Sequence, residues 1–520
     1  MAERLLGVET EYAISGLQGL EAADHRTIIH HLLDLAHTTL RNLQDESPSG
    51  LFLENAARLY LDSGMHMEYS TPECANPWDA VRYVEAGNRT LLNLIQKMTD
   101  ERTPEVVTSC YRVNVDYSGS GATWGCHESY QHRMQGAELP WDLIPHLVTR
   151  IIYTGAGGFD PFSSGLRFTL SPRAAHIEHT ISSDSTNDRG IYHSKVEPLC
   201  AGHNRLHILC GESLCSQLAM WVKFGATCLV VAMAEAGLAP GSAVQLDSPL
   251  TALRTVAGDP SMKRPLKMKD PPRRMTAVEI QRHYLAKAEA HCRDTFMPLW
   301  APEVCVQWRR VLDLVASGPK ASADALDWPM KLALFSTQAA RRGFDWSHLA
   351  FWNAVIEDMR REMRLPPDGK PFPLELALSP ETPIPALVSR IGKLLKKMGL
   401  DWDELRRILL TRNEFFEIDT RFGQLGPGGI FSMLDANGVL NHRVGGIDNI
   451  EHAIRNPPVK GRARIRGAVV RRLAGDLEGK WSCGWDRIVS KRHGRLLDLS
   501  DPFTEKEDWH DTTVNESQES

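Results

Sequence analysis

Seven stretches of this chain, 5–15, 54–62, 68–71, 111–117, 166–170, 176–181 and 205–210, alternate polar with apolar residues. A period of two puts every second side chain on the same face of a strand, so each stretch predicts a strand with one wet and one greasy face. Helical periodicity occupies 25–42, 79–98, 141–154 and 214–236, then 277–294, 301–316, 328–341 and 385–398. The strands arrive in clusters instead of alternating strictly with helices. That order favours an antiparallel or mixed sheet over a doubly wound parallel one, and with it an α+β fold. A turn-rich break at Gly426 to Gly429 precedes a second unit with further periodic segments at 447–455, 462–470 and 481–488. The expected division is a large catalytic domain at 1–429, a small C-terminal domain at 430–511 and a polar, disordered tail at 512–520.

The 520 residues are 42% apolar and 24% charged, as suits a globular chain with a large core. A net charge of −6 argues against a bulk nucleic-acid binder, which needs a basic surplus. Residues 1–12 lack the apolar core of a leader, and the longest apolar run, at 228–233, falls short of the ~20 residues of a membrane span. Ten cysteines stand singly, with no CxxC pair. They read as buried thiols in a reducing compartment, so a cytoplasmic protein with no membrane partner is expected. Residues 259–275 carry six Lys and Arg among prolines and read as an exposed connector, either solvated or facing an acidic partner.

The chemistry lies on the wet strand faces. Glu9 and Glu11 share one face, about 7 Å apart, and can bracket a hard cation such as Mg²⁺. Arg58, Tyr60 and Asp62 share the next, with a guanidinium suited to phosphate and a carboxylate suited to general-base work. His66 and Glu68 follow. Later segments add Arg112, Asn114 and Asp116, then His127 and Ser129, then Arg205 and His207, and finally Arg462, Arg464 and Arg466. Each alone reads equally as a solvated strand. Together they predict a sheet whose one face suits a metal nucleotide. No GxxxxGK[ST], HExxH or GxSxG occurs, which removes P-loop, zinc-protease and nucleophile-elbow chemistries from the main candidates.

In this order, GVETEY at 7–12, ARLYLDSGMHMEYSTPEC at 57–74, VNVDYSGSGATWGCHESY at 113–130, NRLHILCGES at 204–213 and AIRNPPVKGRARIRG at 453–467 resemble the PafA/Dop family. The 57–74 block is similar to the ligase branch. The depupylase branch has a shorter form and a long insertion that has no room before Asp62. The resemblance implies a glutamine synthetase-like large domain with a curved, mainly antiparallel sheet, plus a small C-terminal domain. It implies ATP and Mg²⁺ as cofactors, with Glu9, Tyr60 and Glu68 at magnesium-binding positions. Arg58, Thr71 and Trp485 match ATP-contacting positions, and Asp62 matches the catalytic aspartate. Glu11, His127, His207, Arg462 and Arg466 also sit in family motifs.

The implied activity joins the C-terminal glutamate side chain of Pup, or a Pup-like tag, to lysines of protein substrates through an acyl phosphate. A depupylase or deamidase, a small-molecule glutamate–amine ligase and a non-catalytic binding protein are the alternatives. The chain departs from the family pattern at Ser129, at 193–198 and at Glu212. Those departures bear on the identity of the tag more than on the ATP chemistry.

Overall fold

The computed structural model describes residues 4–511 apart from 19–20, 23–24, 48, 102–105, 118–119, 135–137, 164–165, 185–187, 195–201, 363–384, 477 and 491. The expected tail at 512–520 and most of the 193–198 departure lie outside the described residues. Fourteen strands are labelled here: β1 (Leu6–Gln18), β2 (Asn42–Asp45), β3 (Gly50–Leu53), β4 (Arg58–Leu61), β5 (Met67–Ser70), β6 (Val106–Tyr111), β7 (Cys126–His132), β8 (His179–Ser182), β9 (Gly190–His193), β10 (Asn204–Ile208), β11 (Trp481–Cys483), β12 (Arg487–Ser490), β13 (Arg495–Asp498) and β14 (Asp508–Asp511). They form one curled sheet in the order β8-β9-β10-β7-β1-β5-β4-β3-β2-β11-β12-β13-β14, with β6 and the short strand Glu21–Ala22 on the far half of β1. Only β8–β9 and β2–β11 pair in parallel among the described strands of this sheet. The fold is therefore α+β with a mixed, mainly antiparallel sheet.

β1 is the spine. Its first half pairs with β5 and β7, and its second half leaves them to pair with β6. One long strand serving two sets of neighbours bends the sheet into a trough. On the convex side Val8, Tyr12, Leu59, Tyr69, Tyr130 and Leu206 are buried, under the Pro77–Glu101, Leu139–Thr149 and Gln217–Glu235 helices. The last of these is long and apolar enough to cross a membrane by composition, and it lies wholly inside the protein. Ser216 caps it, its hydroxyl accepting from the Ala219 amide at 3.1 Å.

Glu128 points into this same core from β7, between His127 and Ser129 on the opposite face. Arg150 grips it bidentately at 2.8 and 2.6 Å, with Lys223 at 3.3 Å. All three are at most 2% exposed. Removing one partner strands the others in a dry core. Glu128→Ala is expected to cost about 3–5 kcal/mol, read as a fall in unfolding midpoint.

Residues 430–455 pack on the large unit. Phe431 sits with Phe422, Cys215 and Met330, and the Ile450–Arg455 helix packs along Pro77–Glu101. The Gly461–Leu473 helix and β11–β14 enclose a separate small core of Leu43, Phe52, Ile465, Val469, Ile488 and Leu497. β11 joins β2 with Cys483 opposite Asp45, so the C-terminal strands extend the main sheet.

Two sequence readings change. Arg462, Arg464 and Arg466 lie on a helix, not a strand. The apolar residues at 465, 469 and 470 have helical spacing, which prevails over a five-residue alternation. Residues 112–117 leave β6 at Tyr111 and run as an irregular arm. Arg112 and Asn114 are buried there, donating to the Leu214 and Ser213 carbonyls. The connector at 259–275 is exposed as expected, with all six basic side chains at the surface, and it contains a short ribbon of Leu266–Lys267 against Arg274–Met275.

Candidate active site

Period-two geometry on β1 puts Glu9 and Glu11 into the trough, and the register assembles the rest around them. Glu9 stands opposite His127 on β7 and Ser70 on β5. Glu11 stands opposite Glu68, Glu68 opposite Tyr60, and Ser70 opposite Arg58. Beyond β7, Ser129 faces His207 on β10. The wet faces of five strands thus become one polar surface.

Imidazoles separate the carboxylates on this surface. His127 Nδ1 lies 3.5 Å from Glu9 and 3.7 Å from Glu68, and its Nε2 lies 3.6 Å from Glu11. His207 Nε2 lies 3.8 Å from Glu9, while its Nδ1 meets the Ser129 hydroxyl at 3.1 Å. His66 Nδ1 lies 3.6 Å from both Glu11 and Asp62. Three of the four sets among the described residues that gather metal-ligating atoms within 4.8 Å lie on this surface: Glu9, His127 and His207; Glu11, Glu68 and His127; and Glu11, Asp62 and His66.

The carboxylates do not titrate alike. Burial pushes Glu9 up, but His207, His127 and Arg205 more than offset it and hold it well below the usual range. Burial likewise opposes Glu11, yet His127, His66 and Arg173 bring it down to about 2. Glu68 is pushed well up, by burial first and then by the Glu9 and Glu11 charges. Its Oε1 is buried without a hydrogen-bond partner. A carboxylate oxygen left bare beside two anions is what a divalent cation would satisfy, and the oxygen-rich donor set fits Mg²⁺.

Tyr60 closes one side. Its hydroxyl accepts from Ser70 at 3.4 Å, and burial next to Glu68 keeps it protonated. Asp62 sits just past the end of β4 in a tight turn, with Met65 at φ 64°. The His66 amide donates to Asp62 Oδ1 at 2.6 Å, leaving the other oxygen toward the trough with the side chain 18% exposed. Burial raises its pKa against that hydrogen bond, and Glu11 adds to the rise.

Thr71 and Trp485 meet at one cavity of about 90 Å³, whose lining also includes Glu9, Ser70, Ser129 and Arg205. Thr71 anchors it, its Oγ accepting from the Val8 amide at 3.0 Å. Trp485 arrives from the C-terminal unit, edge-on to Phe52 at 5.1 Å. Arg58 is not among the residues lining this cavity. Its Nε donates to Asp45 at 2.6 Å and its guanidinium lies 3.8 Å over the Tyr60 ring.

Arg462 lines this cavity and Arg466 is fully buried, and neither is a free phosphate ligand. Both close on Glu73, at 2.5 Å each. Glu73 is the residue that sequence reading passed over. A helical reading of 462–466 puts the two arginines one turn apart on one face, and that spacing asks for a single buried carboxylate between them. Arg173 was also missed: its guanidinium donates to Thr123 and the Leu209 carbonyl, and its charge acts on Glu11. It comes from a short turn, Pro172–His176, with no periodicity to flag it.

Glu73 also sets an acid limit. Burial opposes its ionisation, but Arg466 and Arg462 bring its pKa from 4.5 down to about 2. A depressed carboxylate stabilises the fold above its unfolded pKa, and that stability is lost as pH falls from about 4.5 toward 2. Roughly 3 kcal/mol is at stake. Stability of the wild type is expected to drop more steeply over that window than stability of Glu73→Gln, measured by urea unfolding at stepped pH.

The family model described as Pup-ligase protein matches residues 4–357 and 391–489. A Pup–protein ligase of Rhodococcus erythropolis (strain PR4) is 32% identical over 372 residues, covering 69% of this chain and 80% of that protein. A depupylase of Acidothermus cellulolyticus is 34% identical over 313 residues, covering 58% and 61%. Among solved structures, the complex of Pup with its ligase PafA aligns at a TM-score of 0.69, with 23% identity over 96% of this chain and 90% of that one. PafA in complex with ADP aligns at 0.62, with 23% identity over 94% and 92%. With the fold shared across its length and the family model matched on both sides of 358–390, this chain belongs to the Pup-ligase family.

Proposed function

We propose that the chain is an ATP-dependent ligase that joins the side-chain carboxylate of the C-terminal glutamate of Pup, or a Pup-like tag, to lysines of substrate proteins. The observation that carries this is the trough itself: Glu9, Tyr60 and Glu68 adjoin on one polar face, and Asp62 stands at its rim beside Glu11 and His66. Family membership and the relatives named as ligases support the same reading.

Glu9, Glu68 and Tyr60 are the residues to hold Mg²⁺, which supplies charge neutralisation on phosphate when bound. The apolar side of the Thr71–Trp485 cavity suits a nucleotide base, and its Glu9 end opens to the trough where phosphates are handled. Arg58, held by Asp45, faces that trough from β4 and contributes positive charge to the same surface.

Transfer of the γ-phosphoryl group of ATP to the tag carboxylate yields ADP and an acyl phosphate. Lysine nitrogen then attacks the acyl carbon, the C–O bond to phosphate breaks, and phosphate leaves. An attacking lysine must first lose a proton, since its ordinary pKa keeps it cationic. Asp62 accepts that proton at the oxygen not bonded to the His66 amide, and its raised pKa makes it a better acceptor than a solvated carboxylate. Hydrogen bonding by His66 fixes the orientation of the base.

The nine described cysteines are all free thiols, which supports work in a reducing compartment such as the cytoplasm. A depupylase reading has the Acidothermus relative in its favour. One experiment separates the two. Purified protein is incubated with Mg-ATP, the organism's Pup-like protein ending in Glu and a lysine-bearing protein, and intact mass is followed. A new adduct of tag minus water establishes ligation. Loss of a preformed adduct without new conjugation moves the chain to the hydrolytic branch.

A further inference from the structure

The cavity shared by Thr71 and Trp485 has its floor on the sheet and one wall on the C-terminal unit. These two parts come from positions some 400 residues apart in the chain. One carboxylate, Glu73, which itself belongs to the cavity lining, ties them together. Glu73 follows β5 by three residues, and its oxygens accept from Arg462 Nε at 2.5 Å and from two nitrogens of Arg466 at 3.2 and 2.5 Å. Arg466 is fully buried.

The same Arg466 guanidinium donates to the Trp485 carbonyl at 3.0 Å and to the Ala56 carbonyl at 3.2 Å, and it lies 4.8 Å from the Trp485 ring centroid. One planar cation therefore holds Trp485 by its backbone carbonyl and by the face of its indole, while the same two terminal nitrogens are held by Glu73. Arg462 completes the brace. It donates to the Leu499 carbonyl at 3.2 Å, and its own amide donates to the carbonyl of Pro502, another residue of the cavity wall.

We infer that Glu73 is a positioning residue for nucleotide binding, holding the Trp485 wall against the sheet through Arg466; this rests on the nucleotide reading of that cavity. A purely stabilising ion pair would change the unfolding midpoint and leave affinity of the folded protein alone. A brace acting through Trp485 changes affinity, and its effect disappears once Trp485 no longer reads it. Loss of the brace lets the wall move, so binding must then order it at the expense of affinity.

The test is Mg-ADP binding by titration calorimetry, well below each variant's unfolding midpoint, for wild type, Glu73→Gln, Trp485→Phe and the double variant. Each single change is expected to raise Kd about tenfold, and the double to exceed Trp485→Phe by no more than about twofold. Arg466→Lys serves if Glu73→Gln does not fold. It keeps a charge opposite Glu73 but lacks the planar fork over Trp485, and it carries the same expectation. Multiplying effects in the double variant, or wild-type Kd in Glu73→Gln, overturn the inference while leaving the cavity's reading intact. Wild-type Kd in both Trp485→Phe and Thr71→Ala instead removes the nucleotide from this cavity, and the inference with it.

Discussion

Replacing Asp62 by Asn is expected to lower the rate of tag conjugation by about 10²- to 10⁴-fold while leaving the fold intact. Asparagine keeps an oxygen at the Oδ1 position, so the His66 amide retains its partner at the end of β4. What it loses is the ability to take a proton from the attacking lysine. Phosphoryl transfer to the tag carboxylate needs no such base, so slow release of ADP is expected to continue in the variant. Intact mass for the adduct and a coupled assay for ADP separate the two steps. A conjugation rate within about threefold of wild type would remove Asp62 from the base role.

The second large effect carries two opposite signs. Glu68 is buried between Glu9 and Glu11, and burial with those two charges pushes its carboxyl well up. Without a cation, the ionised group is held against repulsion. Glu68→Gln removes that repulsion, so the metal-free protein is expected to melt at the same temperature or a few degrees higher. The same change removes a cation ligand, and conjugation is expected to fall by more than about 100-fold. It should also abolish most of the rise in melting temperature that Mg²⁺ with ADP gives the wild type, because a ligand stabilises only what it binds. A Mg-dependent rise that persists in Glu68→Gln would place the cation elsewhere.

Much of this site follows from local pattern. Glu9 with Glu11, Arg58 with Tyr60, and His127 with Ser129 each share a strand face because a period of two is set by backbone geometry. The structure keeps those pairs together on the faces they were expected to occupy. Where the pattern misled, a short alternation competed with something longer. Residues 462–466 alternate over five positions, yet the apolar spacing through Val470 makes them helical, and that reverses the role of their arginines. Tyr111 to Tyr117 alternates too, but Arg112 and Asn114 satisfy distant backbone carbonyls instead of a neighbouring strand.

The sequence by itself determined which side chains of β1, β4, β5, β7 and β10 share the trough face, because alternation within a strand is local and needs no partner. Composition and clustering of the strands likewise determined an α+β chain with a mixed sheet. Only the tertiary structure decided which trough residues become neighbours. Register, not sequence distance, puts Glu9 beside His127 and Glu11 beside Glu68, and register depends on hydrogen bonds between strands far apart in the chain. Tertiary packing also decided that Arg466, which bonds the Trp485 carbonyl, closes on Glu73. That contact joins residues 393 positions apart. It exists because an isolated buried charge is too costly to leave unpaired, so two arginines and one carboxylate close on each other where the C-terminal unit meets the sheet.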